Sequence, residues 1–196
     1  MTTRERNKLG KQFVCEKLQK EIQLGEETLE IGTSATKSPS ELLVSSVNRK
    51  KTALLRVQYS RTYPHKFHCH SSGWHMVFRH VLENTKADFF VFVCAPNEGE
   101  ATAETCDYIV IKKTILQERL PDNDSKRQKF YLYLTRIENS AVDARGIGSL
   151  RRNQKQGDIP EGIQKVLQEE KSPKNYTEYL NNWKSIKEFL EEKGSE

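Results

Sequence analysis

Cysteine is scarce and scattered in this chain. There are four in 196 residues, Cys15, Cys69, Cys94 and Cys106, and no two form a C-x-x-C pair. That spacing excludes a cysteine-dense secreted scaffold and favours reduced thiols in a cytosolic protein. Long apolar runs are missing as well. The longest, Phe89 to Ala95, is far short of the roughly 20 residues that cross a bilayer. The opening Met1-Thr-Thr-Arg-Glu-Arg-Asn-Lys is too charged for a signal peptide. Neither secretion nor membrane insertion is expected, and the expected location is cytoplasmic. No Gly-Lys-Ser/Thr follows a strand, which excludes a phosphate-cradling Walker loop. No Gly-x-Ser-x-Gly elbow is present, and no internal repeat.

The residues that are present are enough to build a core. Hydrophobic residues make up 35% of the chain, with eight Phe, seven Tyr and two Trp as large bodies to bury. The length suits one domain with an appendage. The 32 basic residues exceed the 27 acidic ones by five. Such a balance permits nucleic-acid binding without requiring it, because electrostatic binding depends on clustered charge.

Thr2 and Glu5 have capping-box spacing. Leu9, Phe13, Leu18 and Ile22 recur at helical intervals, so a helix is expected over Thr3 to Leu24, stopped at Gly25. A polar stretch from Gly32 to Ser40 follows. Glu41 to Val47 and Thr52 to Ser60 read as two strands of a hairpin, joined at Asn48-Arg-Lys-Lys. Residues 65 to 80 hold all five histidines and have no clear period; Trp74 and Phe78 within them are expected to pack. Ala87 to Cys94 suits a strand buried on both faces. Short strands are expected at Asp107 to Ile111 and Phe130 to Leu134. Ser140 marks a change of character, and Ala144 to Gly157 reads as a mobile basic loop. A short helix over Ile159 to Glu170 and a final helix capped by Asn175 complete the chain. The fold expected is α/β, a mixed central β-sheet flanked by helices. Residues 1–138 form its core, 139–174 a basic flexible segment, and 175–196 a helix packed on the core.

Chemistry concentrates on the hairpin. Side chains alternate along a strand, so Arg56, Gln58 and Ser60 point one way and Leu55, Val57 and Tyr59 the other. Glu41 opens the partner strand and is expected near Gln58. A carboxylate facing polar groups spaced i, i+2 can hold Mg²⁺ through oxygen ligands, and such an ion activates water and stabilises charge on phosphate. The histidines offer a different centre: His68, His70 and His75 near Cys69 are ligand types that Zn²⁺ accepts. The basic loop, with Arg145, Arg151, Arg152 and Lys155, is suited to gripping backbone phosphates.

The segment Pro39-Ser-Glu-Leu-Leu-Val followed by Ala53-Leu-Leu-Arg-Val-Gln-Tyr-Ser resembles the core hairpin of the PD-(D/E)XK nucleases, the restriction-endonuclease-like fold. Lys86-Ala-Asp-Phe-Phe-Val-Phe-Val and Asp107-Tyr-Ile-Val-Ile resemble later strands of its resolvase-like members. Asn7-Lys-Leu-Gly-Lys-Gln-Phe-Val is similar to their first helix, and Tyr179-Leu-Asn-Asn-Trp-Lys to a C-terminal helix. The likeness spans residues 4 to 134 and the last helix. It implies a Mg²⁺-dependent endonuclease with Glu41, Gln58 and Ser60 at the catalytic positions and Glu41 and Gln58 as metal ligands. It also implies duplex or branched DNA as partner, and a homodimer. The family's lysine position is Ser60, and its first-helix Glu falls on Gln12. A serine hydroxyl does not replace a lysine in water activation or charge stabilisation. Arg61 or Lys66 would have to supply the cation, or the fold serves as a DNA-binding or protein-interaction module without cutting.

Overall fold

The computed structural model describes residues 1–22, 29–33, 40–46, 51–60, 69–120, 128–147, 158–169 and 171–192. Helix α1, Thr3–Glu21, begins at the expected capping box: Glu5 N–H donates to the Thr2 hydroxyl and the Glu5 carboxylate accepts from Thr2 N–H. Three antiparallel strands follow, β1 (Leu29–Thr33), β2 (Glu41–Ser46) and β3 (Thr52–Ser60). Strand β4 is Ser71–Phe78 and helix α2 is Arg79–Asn84. Strand β5, Phe89–Pro96, runs parallel to β3 with Leu55 beside Phe89 and Ser60 beside Cys94. Strand β6, Asp107–Lys112, pairs antiparallel with β5. Then come α3 (Lys113–Arg119), β7 (Lys129–Ile137), β8 (Ser140–Asp143), α4 (Glu161–Gln168) and α5 (Lys184–Glu191).

The result is a mixed α/β protein built on a central mixed sheet flanked by helices. Its main plane is β1-β2-β3-β5-β6, and a wing of β4, β7 and β8 joins β5 through two residue pairs, Ser71 with Pro96 and Ser72 with Ala95. One face of the main plane carries α1 and α5. There Phe13, Val14 and Leu18 meet Leu55, Val57, Val91, Trp183 and Ile186. Helix α1 lies close on β3 at Gly10, where a Cβ would come within 2.6 Å of Tyr59 Cβ. The wing curls toward the opposite face, and Val77, Phe130, Leu132 and Leu134 join Phe90, Phe92, Ile109 and Ile111 in a second cluster. A third cluster, under α4, packs Ile163 on Val142 and Ala144. Among the described residues no helix is long and apolar enough to cross a membrane.

The hairpin and the buried strand lie where the sequence pattern puts them. The boundary read at residue 138 falls in the β7–β8 turn, and Ser140–Asp143 continue the wing as a strand. The expected final helix forms, but it begins at Lys184 and not at Asn175. Asn175 instead accepts a hydrogen bond from Thr177 N–H, and only Thr177–Tyr179 make a 3-10 turn. The reason is the edge of β6. Asn181, at φ 50°, donates its N–H to Tyr108 O, and its side-chain oxygen accepts Tyr108 N–H at 2.9 Å. The segment wraps that edge, placing Tyr179 in the second cluster and Trp183 in the first. Trp74 packs as expected, against the Tyr131 and Tyr133 rings, but on the outward side of the wing, where it is 40% exposed.

Candidate functional site at the hairpin

The β2–β3 register pairs Glu41 directly with Arg56, leaving Gln58 two residues further along β3 on the same face. Arg56 Nη1 donates to Glu41 Oε1 at 3.1 Å, and the side chains are only 19% and 8% exposed. Arg56 Nε is buried with no hydrogen-bond partner, a group whose desolvation costs about 1–3 kcal/mol. The carboxylate is the natural counter-charge for a guanidinium taken out of water. Beside the pair opens a cavity of about 410 Å³ lined by Leu54, His80, Asn84 and Lys86 among others.

Ser60 is buried, and its hydroxyl accepts Trp74 N–H at 2.8 Å. Next to it Gly73 lets the His75 ring lie close: a Cβ on Gly73 would be 2.5 Å from His75 Nε2 and 3.3 Å from Ser60 Cβ. The His75 imidazole is fully enclosed, edge-on to Phe92 at 5.0 Å and with Nε2 3.8 Å from Cys94 Sγ. Burial holds its pKa down to about 3 and pushes the Cys94 thiol well above its ordinary range. His75 is therefore a neutral core ring.

These positions bear on metals. Mg²⁺ on Glu41 would sit beside the Arg56 guanidinium on the same carboxylate, and like charges at that separation repel. Among the described residues the donor set, a carboxylate paired with Arg56 and the Gln58 amide two residues further along β3, does not fit Mg²⁺. Among the described residues no three His, Cys, Asp or Glu side chains gather as a metal site. His70 is exposed while His75 is enclosed; His65 and His68 lie outside the described residues. The four cysteines are free thiols.

Of the positions suited to phosphate, Arg145 is described. It lines a second cavity, of about 760 Å³, together with Arg79, Arg119, Lys174, Phe130 and Tyr176. Its guanidinium is 3.7 Å from Asp143, its carbonyl accepts from Lys174 Nζ, and Nη1 is buried without a partner. Arg119 is spent on structure: it donates to Ser172 O, Asn175 O, the Tyr179 hydroxyl and Glu178. Arg61, Lys66, Arg151, Arg152 and Lys155 lie outside the described residues.

Sequence reasoning missed one polar hub. Asp107 is 4% exposed, and its carboxylate accepts from Ser71 Oγ at 2.7 Å, Asn181 Nδ2 at 3.1 Å and Arg136 Nη1. It ties the wing, β6 and the C-terminal segment together. Nothing local in the sequence marks it, because its three partners come from positions 71, 136 and 181. No family model, curated protein or solved structure matches the chain.

Proposed function

We propose that the chain is a nucleic-acid-binding protein on a PD-(D/E)XK-like core that does not hydrolyse its partner. The observation that carries this reading is the Glu41–Arg56 ion pair. The carboxylate that the resemblance assigns to a metal is neutralised by an arginine on the same hairpin, and Ser60, at the lysine position, is committed to the β4 backbone. The core likeness itself is supported by arrangement: of the segments likened to first helix, hairpin and later strands, β2–β3, β5 and β6 are neighbours in one sheet and α1 packs on its face. The net charge of +5 is compatible with a polyanionic partner, and the resemblance favours DNA and a homodimer.

A second reading has one observation in its favour. Lys86 and His80 line the cavity beside Glu41, so a cation other than the family's lysine stands near the hairpin, as a Mg²⁺-dependent endonuclease requires. Incubation with supercoiled plasmid in Mg²⁺ and in Mn²⁺, beside Glu41→Ala, separates the two. Our reading expects intact plasmid from both proteins. Nicking by the wild type that is lost in Glu41→Ala establishes the nuclease instead.

A further inference from the structure

Helix α1 carries six cations, Arg4, Arg6, Lys8, Lys11, Lys17 and Lys20, and its two halves treat them differently. In the second half, Lys17 and Lys20 both reach Glu104, at 2.9 and 3.0 Å, and Lys17 also reaches Glu21. In the first half, Arg6 donates to the Thr3 hydroxyl at 3.4 Å, and its charge bears on Tyr59 at the sheet side. Arg4, Lys8 and Lys11 have no carboxylate at ion-pair distance among the described residues. The acids nearest them in sequence are used otherwise: Glu5 closes the capping box with Thr2, and Glu16 accepts from Gln12 Nε2 at 3.0 Å. Spacings of four and three set Arg4, Lys8 and Lys11 in one stripe. Phe13, Val14 and Leu18 bury the other side of the helix on the sheet, so the stripe faces away from it. Arg4 and Lys8 are exposed and Lys11 half-buried. Helix energetics does not account for the stripe. The first turn of a helix favours acids and disfavours bases, yet Arg4 stands there and Lys8 one turn on.

We propose that the Arg4–Lys8–Lys11 stripe of α1 is a contact surface for the phosphate backbone of duplex nucleic acid, taken without regard to base sequence. This rests on the nucleic-acid reading above and gives it the clustered charge that electrostatic binding needs. The seven residue steps from Arg4 to Lys11 rise about 10 Å, and one strand of a duplex presents a phosphate about every 3.4 Å along its axis. The stripe therefore spans about three phosphates. Its neighbours do not oppose an anion: Asn7 and Gln12 are uncharged, and burial pushes the Cys15 pKa up, which keeps that thiol neutral. No aromatic ring stands on this side of α1 to stack an unpaired base, so the contact positions a backbone and reads no sequence. A membrane is the poorer occupant. An interfacial helix sinks an apolar face into the lipid, and the apolar face of α1 is already buried on the sheet. The same lack of exposed apolar side chains leaves no core for a protein interface.

A labelled random-sequence duplex is titrated into the full chain across a salt series and followed by fluorescence anisotropy. Three proteins are compared: wild type, the variant Arg4→Gln/Lys8→Gln/Lys11→Gln, and the control Lys165→Gln/Lys171→Gln/Lys184→Gln, which removes the same charge from exposed positions elsewhere. Glutamine keeps helix propensity, and taking bases out of the N-terminal turns is expected to leave the melting temperature unchanged or higher. In the α1 variant the low-salt affinity is expected to fall about tenfold or more, and the slope of log affinity against log salt to shrink by about 3. Lys8→Gln alone is expected to shrink it by about 1, and the control to keep the wild-type slope. An unchanged slope in the α1 variant, or equal losses in variant and control, overturns the stripe while leaving nucleic-acid binding intact. Absence of binding by the wild type removes the functional reading and the stripe with it. Capture on phosphatidylserine vesicles that the α1 variant loses, with no duplex bound, assigns the stripe to a membrane surface instead.

Discussion

His75 gives the most quantitative handle on the core. Burial among Phe92, Cys94 and Gly73 lowers its pKa from 6.5 to about 3. Between those values the unfolded chain carries the imidazole proton and the folded chain does not, so unfolding takes up a proton. Stability from this group is fully present above the unfolded pKa and is lost as pH falls from 6.5 toward 3, at about 1.4 kcal/mol per pH unit. Between pH 7 and pH 5 the loss is about 2 kcal/mol. The thiol that faces it, Cys94, stays neutral throughout, and the nearby Asp107 carboxylate is held by Arg136. Urea unfolding at pH 7 and pH 5 measures the loss, and His75→Gln removes the titrating group. The variant is expected to be less stable at pH 7, through its buried amide, yet to lack the extra 2 kcal/mol of acid sensitivity. If wild type and variant lose the same stability between the two pH values, His75 is not a buried neutral ring and the packing around β4 is misread.

The Glu41–Arg56 pair is expected to behave as a unit: Arg56→Met alone costs about 3 kcal/mol, as removing one member of a buried ion pair does, and adding Glu41→Gln restores part of it, which a double-mutant cycle in urea reads directly. Gly73→Ala is expected to cost about 1–3 kcal/mol, because its Cβ would press on His75 Nε2, and less in a His75→Ala background, as thermal melts will show. Gly10→Ala gains about 1 kcal/mol of helix propensity but places a Cβ 2.6 Å from Tyr59 Cβ; a net fall in Tm is expected, and a rise would mean that α1 sits further from β3.

Much of the main plane was legible in the sequence because its signals are local. The Thr2–Glu5 box, the alternation in Thr52–Ser60 and the apolar run at Phe89 each announce an element without knowledge of its partners. The wing was not legible, for a physical reason. In β4 the outward residues are Trp74 and Met76 and an inward one is His75, so the usual polarity pattern is inverted; the strand exists through pairing with β7, more than 50 positions away. Strand β1 begins at Leu29, in residues given no element from the sequence, and only its end enters the polar stretch from Gly32, while β8 has four residues. At the hairpin the residue types were visible, but the register was not. Pairing Ser45 with Thr52 sets Glu41 against Arg56, and that one step turns an expected metal ligand into half of an ion pair. Asn181 illustrates the same limit: a bond to the β6 edge, invisible locally, overrides the helical period that follows Asn175.

The central claim is that the protein holds nucleic acid without cutting it. The most direct measurement is an equilibrium titration of labelled single-stranded and duplex DNA across a salt series, in Mg²⁺, with the recovered strands run on a denaturing gel. The account predicts binding whose log affinity falls linearly with log salt concentration, as counterions are released, and strands recovered at full length. Absence of binding at low salt, or shortened strands, contradicts it.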